Sequence, residues 1–242
     1  KQVYTAFNAT FLDPKRGIYI DGEGSNHASL HANMFPLAFG LVPAERQAKV
    51  ADFVQARGMA CSVYGAQFLL EALYLPGKID HALGLMTARS ERSWWHMLEQ
   101  GSTMTLEAWN SKVKSNLTWN HAWGAAPANI ISRFVLGVRP LAPGYTSILI
   151  APEPGSLKWI RGKVPTPRGP VLVSLRNDAQ LRLEIEVPPG SKARVVLPGR
   201  ATRADPISVN EKVVAALLEN ESQVIENLPP GRHVILRPAV VR

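Results

Sequence analysis

One cysteine, Cys61, stands in 242 residues, so no intrachain disulfide framework and no cysteine-based metal site can form. A lone cysteine leaves the compartment open, and Cys61 has no cationic neighbour or base in sequence to activate it, so it reads as a small buried hydrophobe. No run of eighteen apolar residues occurs, which excludes a membrane-spanning helix. Acidic residues are the scarcer charge, 19 against 27 basic, for a net charge of +8. Such a balance raises the question of a nucleic-acid partner. The excess is spread, however: residues 1–141 hold 13 basic and 10 acidic side chains, and residues 142–242 hold 14 and 9. With no basic block and no finger or RNA-binding motif, a nucleic-acid partner is set aside. The start, Lys1-Gln-Val-Tyr-Thr5, has neither an initiating Met nor a basic-then-apolar leader, and is expected to be the interior of a longer chain. Localisation stays open.

Two periodicities divide what is present. Up to about residue 140 apolar residues recur at helical spacing. The pattern predicts the end of a helix over 2–12, stopped by Asp13-Pro14, and an extended Ile18–Ile20 leading into the loop Asp21-Gly-Glu-Gly-Ser25. Helices are predicted over 27–40 with Asn26 as cap, over 44–57 with Gly58 as its stop, and over 62–75, 78–88, 92–100 and 121–136, the last ended by Gly137. Short connections make these stacked α-hairpins. From Arg139-Pro-Leu-Ala-Pro-Gly144 onward the period is two. Eight strands are predicted: 147–150, 157–163, 170–176, 181–187, 193–197, 207–210, 223–227 and 233–237. Leu181, Leu183 and Ile185 alternate with Arg182, Glu184 and Glu186, so one face is wet, and the whole predicts an antiparallel β-sandwich. The fold class is therefore α + β in two domains, 1–140 helical and 141–242 sandwich.

Chemistry concentrates in Gly101-Ser-Thr-Met-Thr-Leu-Glu-Ala-Trp-Asn110 and Thr118-Trp-Asn-His-Ala-Trp-Gly124. Glu107 lies two residues before Trp109, and Trp119 and Trp123 bracket His121. Aromatic rings beside a few polar groups suit a sugar, whose C–H faces stack on rings while its hydroxyls need aimed partners. A carboxylate there can serve as acid, base or nucleophile on a glycosidic bond, which normally takes two such groups. No second one lies within the motif, and an ion pair or a helix cap is the plainer role for Glu107.

These two stretches, followed by Arg133-Phe-Val-Leu-Gly-Val-Arg-Pro-Leu-Ala-Pro-Gly-Tyr145, resemble the C-terminal region of inverting α-L-rhamnosidases (glycoside hydrolase family 78) over about residues 1–200. The resemblance implies the second half of an (α/α)6 catalytic barrel, about seven of its twelve helices, plus a C-terminal β-sandwich. It implies that Glu107 is the general base and His121 a supporting residue, with Trp109, Trp123 and Trp95 as substrate-binding candidates. The family's general acid matches nothing in this chain, so a missing N-terminal part is implied. So is a rhamnose-containing glycoside or polysaccharide as substrate, with no cofactor required.

Other groups carry less. His27 and His31 stand four apart on a predicted helix, a chelating spacing, but Ala28 occupies the position where the zincin pattern needs Glu, and no third ligand is evident. They are expected to hydrogen-bond locally, and no metal is expected. Trp94 and Trp95 read first as core, with one of them available to wall a sugar subsite. A non-catalytic carbohydrate-binding or structural module, or part of another (α/α)6 exo-glycosidase, are the competing readings. A half-barrel would leave apolar helix faces uncovered, which favours association, a second copy included.

Overall fold

The computed structural model describes residues 1–178, 180–201 and 206–237. They divide into two compact units, Lys1–Ile130 and Ile131–Arg242. The first is helical. It contains α1 (Gln2–Phe11), a small ladder of β1 (Leu12–Asp13) with β2 (Ile18–Tyr19), then α2 (Leu30–Ala38), α3 (Ala44–Arg57), α4 (Ala66–Tyr74), α5 (Ile79–Met86), α6 (Trp94–Glu99) and α7 (Ala126–Ile130).

The hub is α4, which packs against α2, α3, α5 and α7. Ala66, Leu69, Leu70 and Leu73 recur at helical spacing and are fully buried. Each such leucine withdrawn from water contributes roughly 2 kcal/mol. Helix α3 buries only Val50, Ala51 and Val54 along one side, and α1 buries no residue. Helix α3 has the bounds its periodicity predicts, and Gly58 ends it with φ 55°.

Several helices are shorter than predicted, and local caps explain why. Helix α2 starts at Leu30 because Ser29 Oγ, not Asn26, accepts the Ala32 N–H at 3.0 Å. The His27 carbonyl is meanwhile taken by the Asp21 N–H. Ser93 Oγ caps α6 through the His96 N–H. Residues 121–136 are not one helix. They form a 3₁₀ turn (Ala122–Gly124), the short α7 and a π turn (Ile131–Val135), the last closed by Leu136 N–H to the Ile131 carbonyl at 2.8 Å. Only the i→i+5 closure distinguishes that turn, and hydrophobic spacing does not report it.

The second unit is the sandwich. One sheet has the order β10-β9-β13-β7-β6-β5, from β10 (Lys212–Val214), β9 (Ile207–Val209), β13 (Gly231–Arg237), β7 (Leu181–Val187), β6 (Val171–Asn177) and β5 (Trp159–Val164). The other runs β11-β12-β8-β4-β3, from β11 (Leu217–Glu219), β12 (Ser222–Leu228), β8 (Lys192–Val196), β4 (Ser147–Ile150) and β3 (Val138–Pro140). Alternate residues are buried: Val171, Val173 and Leu175 on β6, and Leu181, Leu183 and Ile185 on β7. Among the described residues every ladder is antiparallel except β4 with β8, which is parallel. The chain crosses through β5, β6 and β7 of the other sheet between those two strands, the long connection that parallel pairing requires. Strand β3 pairs with β4, so Val138–Pro140 lies with the second unit, ahead of the change of period read near Pro140.

Gly137 is required where it stands. Its φ is 74°, and a Cβ there would lie 2.1 Å from the Ala151 carbonyl.

The buried Asn33 ties the loop-bearing end of the helical unit together. Its Oδ1 accepts the Tyr19 N–H at 2.9 Å, and its Nδ2 donates to the carbonyls of Tyr19 (3.0 Å) and Ser29 (2.9 Å). Asn33→Leu keeps the volume but strands these backbone groups, each at a cost of ~1–3 kcal/mol. We expect a loss of at least about 3 kcal/mol in urea unfolding followed by circular dichroism. A midpoint equal to wild type would show that the network carries no stability.

Candidate functional site

Residues 101–121 contain no helix or sheet strand, so directed bonds rather than a ladder set their shape. Two segments face each other across this region. The His121 N–H donates to the Thr105 carbonyl at 2.9 Å, Thr105 Oγ1 donates to the His121 carbonyl at 2.7 Å, and the Glu107 N–H donates to the Thr118 carbonyl at 3.0 Å. This pairing joins the Glu107 motif to the His121 motif, two pieces that the sequence separates by a loop. Gly124 lets the segments approach: a Cβ there would meet Thr105 Cβ at 2.8 Å and the Leu106 carbonyl at 2.9 Å.

Asn110 turns the chain back between them. Its buried Oδ1 accepts the N–H groups of Lys112 (3.0 Å) and Val113 (3.1 Å), an Asx turn that returns Lys114 to Glu107. Lys114 Nζ then donates to Glu107 Oε1, and the Thr118 N–H donates to Glu107 Oε2 at 2.9 Å. The Lys114 ammonium first, and the Thr118 N–H second, hold the Glu107 carboxyl below the ordinary carboxylate range. The Glu107 side chain keeps 13% of its surface open and that of Lys114 keeps 40%. Each carboxylate oxygen has two lone-pair sites, so each retains one for a further donor.

Aromatic rings stand close by. Trp123, 43% exposed, donates Nε1–H to the Glu107 carbonyl at 3.2 Å. Its ring centroid lies 4.1 Å from that of His121 and 5.3 Å from that of Tyr64. Tyr64 is half exposed, and nothing in its own sequence neighbourhood points to this placement. Trp119 is also exposed. Trp109 is 2% exposed; it donates Nε1–H to the Cys61 carbonyl at 2.8 Å and meets Trp94 edge-on at 5.2 Å. Trp94 in turn donates to the Gly124 carbonyl at 2.7 Å. These two tryptophans fasten the paired segments to the helical core from beneath. Trp95 is 39% exposed and bonds Glu99 Oε1 at 2.8 Å, with the Arg89 guanidinium 4.3 Å above its ring. One face of that ring is therefore occupied.

Reading by sequence passed over Lys114 and Thr118. Lys114 lies seven residues from Glu107 in a polar stretch, and only the Asx turn brings the two together. The remaining candidates settle elsewhere. His27 Nδ1 bonds Asp21 Oδ2, Asp21 Oδ1 accepts the Ser29 N–H at 2.7 Å, and the His27 contact holds the Asp21 carboxyl down at about 2. His31 lies beside Phe35, with ring centroids 6.1 Å apart. Among the described residues no group of three or more His, Cys, Asp or Glu side chains is placed to hold a metal ion. Cys61 is 5% exposed, and burial pushes its thiol up to about 12. No described helix is long and apolar enough to cross a membrane.

Residues 1–135 match the family model for the bacterial alpha-L-rhamnosidase 6-hairpin glycosidase domain, and residues 137–211 match that for the bacterial alpha-L-rhamnosidase C-terminal domain. An alpha-L-rhamnosidase from Alteromonas sp. (strain LOR) is 30% identical over 193 residues, covering 72% of this chain and 20% of the relative. The chain thus spans about a fifth of the length of that relative. Among solved structures, the alpha-L-rhamnosidase from Dictyoglumus thermophilum superposes with a TM-score of 0.83 at 22% identity, over 98% of this chain and 28% of that one. The Streptomyces avermitilis alpha-L-rhamnosidase, solved in complex with L-rhamnose, gives 0.77 at 21% identity over 98% and 23%. At such identities these two likenesses speak for the fold. With the family model covering the whole helical unit and the second model continuing into the sandwich, the chain belongs to the bacterial α-L-rhamnosidase six-hairpin glycosidase family.

Proposed function

We propose that this chain supplies the C-terminal half of a six-hairpin catalytic barrel (residues 1–140) and a β-sandwich domain (141–242) to a glycoside hydrolase that removes terminal α-L-rhamnose with inversion. The observation that carries the proposal is the clasp that sets the Glu107 carboxylate, His121 and the Trp123 ring on two paired segments. Glu107 is the general base. Kept ionised by Lys114 and the Thr118 N–H, it takes a proton from a water bound at a remaining lone pair, as that water attacks the anomeric carbon. A separate acid, supplied by another part of the parent enzyme, protonates the leaving oxygen. Inversion follows because water enters opposite the departing group. His121 orients the water or a sugar hydroxyl, and Trp123 offers an apolar ring to the C–H face of the sugar, with Trp95 a second candidate ring. Trp109, expected as a sugar-stacking ring, is instead buried and anchors the Glu107 segment to the core through the Cys61 carbonyl. The exposed apolar residues of α1, Val3 and Tyr4, suit a face covered by the rest of the barrel.

A second reading rests on the same contact with Lys114: Glu107 would then be only a structural clasp between two loops. Substitution in the complete parent enzyme separates the two. Glu107→Gln should lower kcat by about 10²–10⁴-fold or more, with ground-state sugar binding kept, because an amide cannot accept the proton. His121→Ala should be milder. Azide should rescue turnover by Glu107→Gln and yield the β-rhamnosyl azide. Normal turnover by Glu107→Gln would remove Glu107 from the mechanism. The 242-residue chain alone should leave aryl α-L-rhamnosides intact, and clear release of the aryl group would refute the division of the site between this chain and another part.

Lys114 gives a pH test with a definite sign. A base works only when deprotonated, and Lys114 lowers the pKa of Glu107. Lys114→Ala in the parent should therefore move the acidic limb of kcat/KM to higher pH, while activity near neutrality falls less than in Glu107→Gln. A clasp without a catalytic part would change thermal stability and leave that limb where it was.

A further inference from the structure

The outward face of the six-stranded sheet carries more charge than the fold uses. Strand register sets its rows: Trp159 stands opposite Arg176, Arg161 opposite Ser174, and Lys163 opposite Leu172. On the next strand Glu184 faces Ser174 and Glu186 faces Leu172. These residues line two adjoining grooves of ≈ 830 and ≈ 450 Å³, which share Arg161, Ser174 and Arg176. Glu184 is committed: Arg182 Nε bonds its Oε1 at 2.9 Å and Arg232 donates to its Oε2 at 2.8 Å. Arg161, Lys163 and Arg176 form no ion pair or hydrogen bond among the described residues, and all three are exposed. Arg176 also stands directly opposite Arg182, a like-charge pair that costs stability in a sheet. At the rim Trp159 is 68% exposed, on an edge strand, and on the same side as these cations.

We propose that this face binds a polyanionic saccharide chain, one bearing carboxylates or sulfates. Trp159 would stack on a sugar ring. Arg161, with Lys163 on one side and Arg176 on the other, would meet successive anionic groups, set about 6–8 Å apart by the strand geometry. Arginine's planar fork suits carboxylate and sulfate alike. Glu186 and Ser174 would accept bonds from sugar hydroxyls. That last feature favours a saccharide over a nucleic acid. The phosphate and deoxyribose surface of a DNA duplex offers no donor to Glu186, and single-stranded nucleic acid is usually held by several stacking rings. The choice of saccharide rests on the glycosidase reading above. Because the test measures binding by this chain rather than hydrolysis, failure of one is separable from failure of the other.

Isothermal titration calorimetry on the full chain, with polygalacturonate, dextran sulfate, neutral dextran and duplex DNA, decides the matter. We expect saturable binding to polygalacturonate or dextran sulfate, the stronger of the two naming the anion, none to dextran, and weakening as salt rises. Trp159→Ala should weaken binding about tenfold, and Arg161→Ala with Arg176→Ala about a hundredfold, given that a charge-assisted bond is worth roughly a factor of ten. Trp159→Phe should stay within about threefold. Lys49→Ala with Arg57→Ala removes the same charge from the helical unit and should change affinity less than twofold. These side chains are exposed, so melting temperatures should not fall. Absence of binding to both acidic polymers would overturn the proposal. So would DNA binding of equal strength that ignores Trp159, or equal weakening in the Lys49/Arg57 control.

Discussion

A stretch with no regular secondary structure holds the Glu107 carboxylate between Lys114 and the Thr118 N–H, and the helical unit supports that stretch. Between Ser102 and His121 the backbone has no helix or sheet to satisfy it, so each bond it makes is specific. The pairing of Thr105 with His121 and of Glu107 with Thr118 does for this region what a ladder does for a sheet. Two indole N–H groups, from Trp94 and Trp109, reach buried carbonyls of Gly124 and Cys61 and fix the pair to the core. Without Gly124 the segments could not close to that distance. The arrangement follows a general pattern, in which chemistry sits on loops whose position a rigid scaffold determines.

For Glu107 as the proposed base, the electrostatics involve a compromise. A base must be ionised before it can act, and donors that favour the ionised form also lower its appetite for a proton. Lys114 and the Thr118 N–H push in that direction. Only one of these donors is fixed. The Thr118 N–H belongs to the paired backbone, whereas Lys114 reaches in from the 110–114 turn on a long side chain that is 40% exposed. In the proposed reaction, a bound sugar that displaced the ammonium would raise the basicity of Glu107, while the backbone donor kept its orientation. Solvent exposure at the Lys114 end also limits what the contact contributes to stability, since exposed ion pairs are worth little.

Sequence periodicity served well where a single face decides an element. Helix α3 and strand β7 have their predicted bounds because Val50 and Val54 in one, and Leu181, Leu183 and Ile185 in the other, form an uninterrupted buried stripe. Periodicity is silent wherever a hydrogen bond, rather than burial, sets the boundary, as with the Ser29 cap and the π turn at Ile131. Two short hairpins escaped notice for a related reason. The β9–β10 turn is Asn210-Glu211 and the β11–β12 turn is Asn220-Glu221, all with positive φ. A two-residue turn of this kind usually announces itself by Asn-Gly, and glutamate in the second place hides it. In the candidate site, the order of motifs along the chain singled out Glu107, His121 and Trp123 as candidates, while their mutual geometry depends on Asn110 and Gly124, whose parts are visible only in three dimensions.

The two faces of the six-stranded sheet obey different constraints, and the difference bears on how the outward one is read. The inner face is determined by packing: Val173, Leu175, Leu183, Ile185 and Ile235 are at most 1% exposed, and Gly162 is small because the Leu136 side chain occupies the place of its Cβ. That face alone is enough to specify strand register, since a one-residue slip would turn every apolar side chain outward. The outer face is therefore free, as far as folding goes, to carry any polar set. A set chosen for folding alone would alternate opposite charges, as Glu184 does with Arg182 and Arg232. Near Trp159 the pattern is instead Arg176 against Arg182, with Arg161 and Lys163 uncompensated among the described residues on the edge strand. Edge cations do deter strand-to-strand aggregation, but that need is met by charge alone. It does not call for an indole two-thirds exposed on the same face, which works against solubility. A ligand that presents both negative charge and an apolar ring face accounts for the two features together.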